Sequence, residues 1–307
     1  MRRKRLFGII LPLLLPAFLF AQTVQKDTKV FAVKDGRELK MDIYCDADST
    51  QQAQPCLVFV FGGGFKEGTR DAKLYTDYFN YFAKRGFTVA SIDYRLGMKG
   101  QKAPSILNQK PLRRAIAMAV EDLFSATNYL LKNAGELRID PAQIIISGSS
   151  AGAMTVLQAD YERSNGFASA QVLPPSFRYA GVIAFAGSIY SREGAPDYKT
   201  KPAPTLFFHG DVDKLVPFKS VRLFNVGVFG SESIAKQFTK YGFPFTFYIM
   251  EKNGHNVSEY PMVDFLPEIE EFIRDLVIGR KQWQIEIEFY DKFRESDTST
   301  NPGNYYN

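Results

Sequence analysis

The chain has 307 residues, 45% of them hydrophobic, as is usual for a globular protein, and a formal net charge of +5. Four positive charges lie within the first five residues, so the remainder carries about +1. No Lys/Arg run is interleaved with aromatic residues elsewhere, which excludes a nucleic-acid-binding surface. Two cysteines without a C-x-x-C pair, together with only two histidines, exclude a Cys/His zinc site.

The first 21 residues have the layout of a secretory signal peptide. Basic residues at positions 2–5 precede an apolar run, Leu6–Phe20, and the small residue Ala21 follows. This run contains two prolines and is shorter than the roughly 20 residues that a membrane-spanning helix needs. We expect cleavage before Gln22, export to the periplasm or the medium, and no stable membrane anchor.

Strands and helices alternate through the rest of the chain. Lys29–Val33 and Glu38–Cys45 alternate apolar and polar residues around a turn signal, which predicts an antiparallel hairpin. Further strands are predicted at Cys56–Phe61, Phe87–Tyr94, Gln143–Ser147, Tyr179–Gly187, Ala203–Gly210 and Pro244–Glu251. Helices are predicted at Lys73–Gly86, Pro111–Leu137, Ala151–Arg163, part of Val216–Gly242 and Pro261–Gly279.

This alternation predicts an α/β fold with a mostly parallel central sheet and helices on both faces, entered through the hairpin. We expect one domain over residues 22–282. A C-terminal extension, residues 283–307, carries a possible edge strand at Trp283–Asp291 and a tail predicted to be disordered. Cys45 and Cys56 lie at the ends of two predicted strands, so a disulfide and a pair of free thiols both remain open.

The stretch Gly148-Ser149-Ser150-Ala151-Gly152 lies between a predicted strand and a predicted helix. G-x-S-x-G in that setting is typical of a nucleophile elbow, a turn so tight that its neighbours must be small. Ser150 occupies the tip of the turn. The backbone N–H of the following residue, Ala151, is a candidate oxyanion donor.

Three glycines, Gly62–Gly64, follow a predicted buried strand. Such a loop lets backbone N–H groups approach a substrate oxygen closely and is a candidate for the rest of an oxyanion hole. A phosphate-binding loop is the alternative. It is disfavoured because Gly-Lys-Ser/Thr is missing and Glu67 occupies the last position of G-x-G-x-x-G.

His255 is the candidate general base, since the chain order Ser, Asp, His leaves room for an acid between it and Ser150. Asp213, just beyond a predicted strand, is the preferred acid, and Asp211 is its competitor. His209 is expected to pack and hydrogen-bond at the end of that strand.

The motifs FGGGF, SIDYRL, ISGSSAGA, HGDVDKLVP and NGH occur in this order on the expected elements. With them, Leu39–Gly279 resembles the α/β-hydrolase superfamily. The resemblance is nearest to its carboxylesterase and acetyl-xylan or feruloyl esterase branch, and more distant to prolyl oligopeptidase-like peptidases. It implies catalysis by Ser150, His255 and Asp213, with oxyanion donors at Gly63, Gly64 and Ala151. This chain departs from the family pattern at Phe61, where a histidine usually braces the glycine loop.

The resemblance implies a serine hydrolase that cleaves esters of short acyl groups through an acyl-enzyme, without a metal or an organic cofactor. The substrate would be a small-molecule or carbohydrate ester, such as acetylated plant polysaccharide. Two alternatives remain, a prolyl oligopeptidase-like exopeptidase and a non-catalytic binding protein on a hydrolase scaffold. The oligomeric state is left open.

Overall fold

A computed structural model describes residues 23–48 and 53–306, so the signal-peptide prediction lies outside the described residues. Within them, nine strands form the central sheet in the order β1-β2-β4-β3-β5-β6-β8-β11-β12, and three form a small sheet in the order β7-β10-β9. The strands are β1 Val24–Lys34, β2 Arg37–Asp46, β3 Gln54–Val60, β4 Thr88–Ile92, β5 Ile139–Ser149, β6 Gly181–Phe185, β7 Ser188–Ser191, β8 Thr205–Gly210, β9 Ser220–Leu223, β10 Val226–Gly230, β11 Phe245–Met250 and β12 Gln284–Phe289.

The central sheet is mostly parallel, as the sequence predicts. β1 pairs antiparallel with β2, and β2 antiparallel with β4, so the predicted N-terminal hairpin is confirmed. From β4 to β12 every pairing is parallel. β4, β6 and β8 are buried along their whole length, as is the continuously apolar part of β3, Cys56–Val60, because helices cover both faces of the sheet. The possible edge strand of the sequence analysis is β12, paired with β11.

Helices connect the strands of the sheet. They are α1 Thr76–Ala83, α2 Lys110–Lys132, α3 Ala151–Asn165, α4 Ser231–Tyr241, α5 Pro261–Asp264, α6 Leu266–Phe272 and α7 Pro302–Tyr306. Among the described helices, none has the length and apolar character needed to cross a membrane.

Two predicted helical segments are divided in the structure, although the partial helix predicted within Val216–Gly242 is confirmed as α4. The closing helix is interrupted at Phe265, because Pro267 lacks a backbone N–H and cannot continue a preceding helix. It resumes as α6 and ends in a π-helical turn, Ile273–Ile278. The first half of the predicted helical segment Val216–Gly242 instead forms the hairpin β9–β10, which pairs with β7.

The two cysteines are free thiols in the structure. Cys45 lies on β2 and Cys56 on β3, and β4 runs between these strands. Strands two positions apart are separated by roughly 9.5 Å, beyond the roughly 7 Å limit for the Cα atoms of a disulfide. The two thiols are therefore too far apart to form a disulfide in this fold.

A buried ion pair fastens the end of β4 to α2. Arg95 Nε lies 3.0 Å from Asp122 Oδ1, and the backbone N–H of Arg95 donates to Asp122 Oδ2 at 2.8 Å. The Asp122 side chain is fully buried, whereas the other partners of the guanidinium, Glu121 and Asp35, are exposed. The position before Arg95 is Tyr94, which contacts the glycine loop described below.

We expect Arg95→Ala to lower the free energy of unfolding by about 3 kcal/mol, because it leaves the Asp122 carboxylate buried without its main partner. Urea unfolding measures this change. Arg85→Ala is the matched control, since Arg85 pairs with Glu270 on the surface and should contribute no more than about 1 kcal/mol. Equal losses in the two variants would contradict the role given to the buried pair.

Candidate active site

Ser150 occupies a strained turn between β5 and α3. Its backbone has φ 51° and ψ −114°, a region that residues with a Cβ rarely adopt. A Cβ at Gly152 would lie 1.9 Å from the carbonyl oxygen of Val60, and one at Gly148 would lie 2.4 Å from Gly152. Glycine is therefore required at positions 148 and 152, because the start of α3 lies directly against the end of β3.

Three side chains from distant parts of the sequence form a continuous chain of hydrogen bonds. Ser150 Oγ lies 2.8 Å from His255 Nε2, and His255 Nδ1 lies 2.7 Å from Asp213 Oδ2. The three side chains are largely buried, with 11% of the His255 side chain exposed. The structure thus brings together the three residues that the sequence analysis singles out as nucleophile, base and acid.

The Asp213 carboxylate is held in its ionised form. Its Oδ1 accepts hydrogen bonds from the backbone N–H groups of Leu215 at 2.8 Å and Val216 at 3.0 Å. Burial by itself would raise the pKa of Asp213, but hydrogen bonding and charge from His209 and His255 outweigh it and hold the pKa well below its usual range. A carboxylate that stays ionised keeps the proton of His255 on Nδ1 and leaves Nε2 free to accept one.

The other candidate residues, His209 and Asp211, have hydrogen-bond partners of their own. His209 is fully buried at the end of β8, with Nε2 3.1 Å from the Val216 carbonyl oxygen and Nδ1 2.8 Å from Ser231 Oγ. Its Nε2 is also 3.5 Å from Asp213 Oδ2, the same oxygen that lies 2.7 Å from His255 Nδ1. Asp211 is exposed, and its Oδ1 accepts from the backbone N–H of Lys252 at 2.6 Å.

The glycine loop lies beside Ser150. A Cβ at Gly62 would lie 3.4 Å from Ser150 Cβ, and Gly63 and Gly64 have φ values of 110° and 60°. Within residues 23–48 and 53–306, the backbone N–H groups of Gly63, Gly64 and Ala151 donate to no acceptor. These three N–H groups, next to a serine hydroxyl, are available to an anionic oxygen.

Two tyrosines that the sequence analysis did not single out brace this loop. Tyr75 Oη accepts from the N–H of Gly62 at 3.2 Å. Tyr94 Oη donates to the carbonyl of Phe61 at 3.1 Å, and the Tyr94 ring stacks on the Phe61 ring with centroids 4.4 Å apart. Phe61 and Tyr94 therefore support the loop at the place where the family usually has a histidine. Tyr94 belongs to the SIDYRL motif, whereas nothing in the sequence separates Tyr75 from ordinary core aromatics.

A narrow cavity opens at Ser150. Its volume is ≈ 50 Å³, and it is lined by Gly64, Phe65, Pro104, Leu112, Ser150, Ala151, Met154, Ser188, Leu215, Val216, Pro217, Val228, Pro302 and Tyr306. A second cavity of ≈ 120 Å³ adjoins it and shares several of these residues. The second cavity adds polar side chains, among them Ser105, Gln109 and Lys214. Across the described part of the chain, no group of three or more His, Cys, Asp or Glu side chains could hold a metal ion.

Comparison with known proteins gives consistent matches. Residues 41–189 match the BD-FAE family model, a segment that contains the glycine loop and Ser150 and ends before Asp213 and His255. Esterase B1 of Culex pipiens is 25% identical over 141 residues, which cover 46% of this chain and 24% of that protein. Fumonisin B1 esterase of Sphingopyxis macrogoltabida is 27% identical over 116 residues, which cover 38% of this chain and 21% of that protein. The alignments thus span less than a quarter of these two relatives.

Solved structures match over most of the chain. Esterase Est2 of Thermogutta terrifontis with propionate bound superposes with a TM-score of 0.63 at 24% identity, covering 82% of this chain and 94% of that one. Native Est2 gives a TM-score of 0.62 at 25% identity, covering 83% and 92%. The strand order, the elbow and these matches agree with one another. The chain therefore has the α/β-hydrolase fold, and the proteins to which it is similar are esterases.

Proposed function

We propose that the chain is a serine esterase that cleaves carboxylic esters of short acyl groups through an acyl-enzyme. The observation that carries this proposal is the unbroken hydrogen-bond path from Ser150 through His255 to Asp213, with free backbone N–H groups beside the serine. The similarity to esterases supports the same reaction class.

The mechanism follows from the geometry. Ser150 Oγ attacks the ester carbonyl carbon while its proton passes to His255 Nε2, 2.8 Å away. Asp213 stabilises the imidazolium that forms, and the N–H groups of Gly63, Gly64 and Ala151 stabilise the oxyanion. His255 then returns the proton to the leaving alcohol oxygen as the tetrahedral intermediate collapses. Water repeats the sequence on the acyl-enzyme, releases the acid and regenerates Ser150.

The size of the first cavity supports a short acyl group. A volume of ≈ 50 Å³ holds only a few water-sized groups, at roughly 10–15 Å³ each. An acetyl group is small enough to fit within this volume. The Ser105, Gln109 and Lys214 side chains of the adjoining cavity supply hydrogen-bonding groups for a polar alcohol such as a carbohydrate. We therefore propose acetylated carbohydrate as the substrate class.

We expect Ser150→Ala to reduce hydrolysis of p-nitrophenyl acetate by a factor on the order of 10⁴ or more, since the nucleophile is removed. Ser149→Ala is the matched control. The Ser149 hydroxyl donates to the Ser258 carbonyl at 2.8 Å, and losing one such bond should cost no more than about tenfold. Turnover retained in Ser150→Ala would overturn the mechanism.

Two further measurements separate the proposed esterase from its alternatives. A non-catalytic binding protein would leave Ser150 unlabelled by a fluorophosphonate probe under native conditions. A peptidase of the prolyl oligopeptidase type would cleave aminoacyl-proline nitroanilides in preference to nitrophenyl acetate. We expect native labelling at Ser150 and preference for the acetate.

Asp213→Asn should lower kcat for the same ester by about 10³–10⁴, because an amide cannot hold His255 in the required tautomer or stabilise its charge. Asp211→Asn, in which an exposed carboxylate is changed, should keep nearly full activity. Equal losses in the two variants would show that the acid is assigned incorrectly.

The Asp213→Asn variant also tests whether folding lowers the pKa of Asp213. Because the folded-state pKa of Asp213 lies below the unfolded value of about 3.9, its ionisation stabilises the fold at pH above that value, and this contribution is lost as pH falls through the folded-state pKa. The difference in unfolding free energy between wild type and variant should be smaller at pH 3 than at pH 5. A difference that grows at pH 3 would contradict the lowered pKa.

We also propose that the protein is exported and that its mature chain begins at Gln22. When the full chain is expressed in a Gram-negative host, N-terminal sequencing should find Gln22 in the periplasmic or extracellular fraction. Leu14→Arg places a charge in the apolar run and should block export, whereas Leu14→Val should not. Protein with an intact N-terminus in the cytoplasmic fraction would contradict the proposal.

A further inference from the structure

The segment after β12 lies across the loops of the site. We name residues 290–306 the C-terminal strap. The sequence analysis expects a disordered tail here, whereas the structure describes a packed segment. Its first half packs against the loop that carries His255. The N–H of Gly254 donates to Ser296 Oγ at 3.0 Å, and a Cβ at Gly254 would lie 1.6 Å from the Asp297 carbonyl oxygen.

The second half of the strap lies on the glycine loop. Tyr306 Oη donates to the carbonyl of Gly64 at 2.9 Å. A Cβ at Gly64 would lie 2.5 Å from the Tyr305 ring, so glycine is needed there for the strap to approach. The Lys66 ammonium group lies 4.6 Å from the Tyr305 ring centroid and 5.5 Å from that of Tyr306. These contacts hold the aromatic pair beside the candidate oxyanion donors.

Two strap residues reach the cavity at Ser150. Pro302 and Tyr306 line it together with Ser150, and on the other elements Met154 of α3 and Val228 of β10 do the same. A group bound next to Ser150 would therefore be enclosed partly by the sheet and helices and partly by the strap. Removing the Tyr306 ring would enlarge the cavity without altering the three hydrogen-bonded residues.

We propose that Pro302 and Tyr306 are specificity-determining residues, which close the cavity beside Ser150 and restrict the enzyme to short acyl groups. This inference rests on the proposed esterase function and identifies the residues that set its substrate size. An acyl chain longer than the cavity would collide with the Tyr306 ring, whereas acetyl would contact it without displacement. Both residues are only partly buried and lie outside the central sheet, so they can be changed without loss of the core.

The test compares kcat/KM for p-nitrophenyl acetate, butyrate and octanoate in five proteins. These are the wild type, Tyr306→Ala, Tyr306→Phe, a chain ending at Ser299, and Phe293→Ala. Phe293 is a strap residue with 84% of its surface exposed and serves as the matched control. Thermal unfolding of each variant verifies that it is folded.

In the wild type, kcat/KM should fall with chain length. In Tyr306→Ala the octanoate-to-acetate ratio should rise by about tenfold or more, since each methylene group accommodated in an apolar pocket is worth tenfold or more. The chain ending at Ser299, which lacks both residues, should show at least the same rise. Tyr306→Phe keeps the ring and should keep the wild-type ratio, as should Phe293→Ala.

Two outcomes would overturn the inference. An unchanged ratio in Tyr306→Ala and in the shortened chain would show that the strap does not set acyl size. An equal fall in kcat/KM for all three esters in Tyr306→Ala and Tyr306→Phe would show that the strap only braces the glycine loop through the Gly64 carbonyl.

A second readout separates this inference from the proposed function. Methylphosphonate and octylphosphonate p-nitrophenyl esters phosphonylate a reactive serine without turnover, and intact-mass measurement gives both labelling rates. Labelling at Ser150 with an octyl-to-methyl ratio unchanged in Tyr306→Ala overturns only the role of the strap. Absence of labelling in every protein overturns the proposed esterase function, and the inference fails with it.

Discussion

The close approach of α3 to the end of β3 is the constraint on which the site depends. Gly152, in the first turn of α3, lies so near the Val60 carbonyl that no Cβ fits between them. The chain can connect β5 to α3 at this distance only through a turn in which Ser150 adopts a positive φ. Such a conformation costs about 1–3 kcal/mol, and the buried strands and helix around it supply that energy. The hydroxyl is fixed at the carboxyl edge of the sheet as a result.

The other two side chains reach that edge because of the strand order. β8 and β11 are neighbouring parallel strands, with Gly210 opposite Met250, so the loops that follow them leave the sheet side by side. Asp213 lies in the first of these loops and His255 in the second. A Cβ at Gly210 would lie 2.1 Å from the Asn253 carbonyl oxygen, which shows how tightly the two loops pack. The hydrogen bond between Asp213 and His255 follows from this packing.

Local patterns account for what was predictable from the sequence. Apolar runs flanked by glycines locate the parallel strands, and the tight turn at Ser150 requires small residues that are visible in the sequence itself. The hairpin β9–β10 was not predicted, because its valines and phenylalanine occur in a segment that also reads as a helix. The interruption of the closing helix at Phe265 could have been predicted from Pro267. The contacts that Tyr75, Tyr94 and the strap make with the site had no signal in the sequence. They join residues that are far apart in the chain, and aromatic residues of these types are common in any protein core.

The site therefore divides into two parts that differ in how they are anchored to the fold. The hydrogen-bonded residues lie in the turn before α3 and in the loops that follow β8 and β11, all of which pack against buried strands. The wall made by Pro302 and Tyr306 stands on a strap that is held by hydrogen bonds, a lysine and two aromatic rings at the surface. Chemistry needs fixed distances, so it depends on the part that is anchored to the central sheet. The size of the bound group depends on the shape of the wall, and a wall carried by a peripheral segment can change its side chains at little cost to the fold. Within this architecture, the strap is the part that can alter substrate size independently of the reaction.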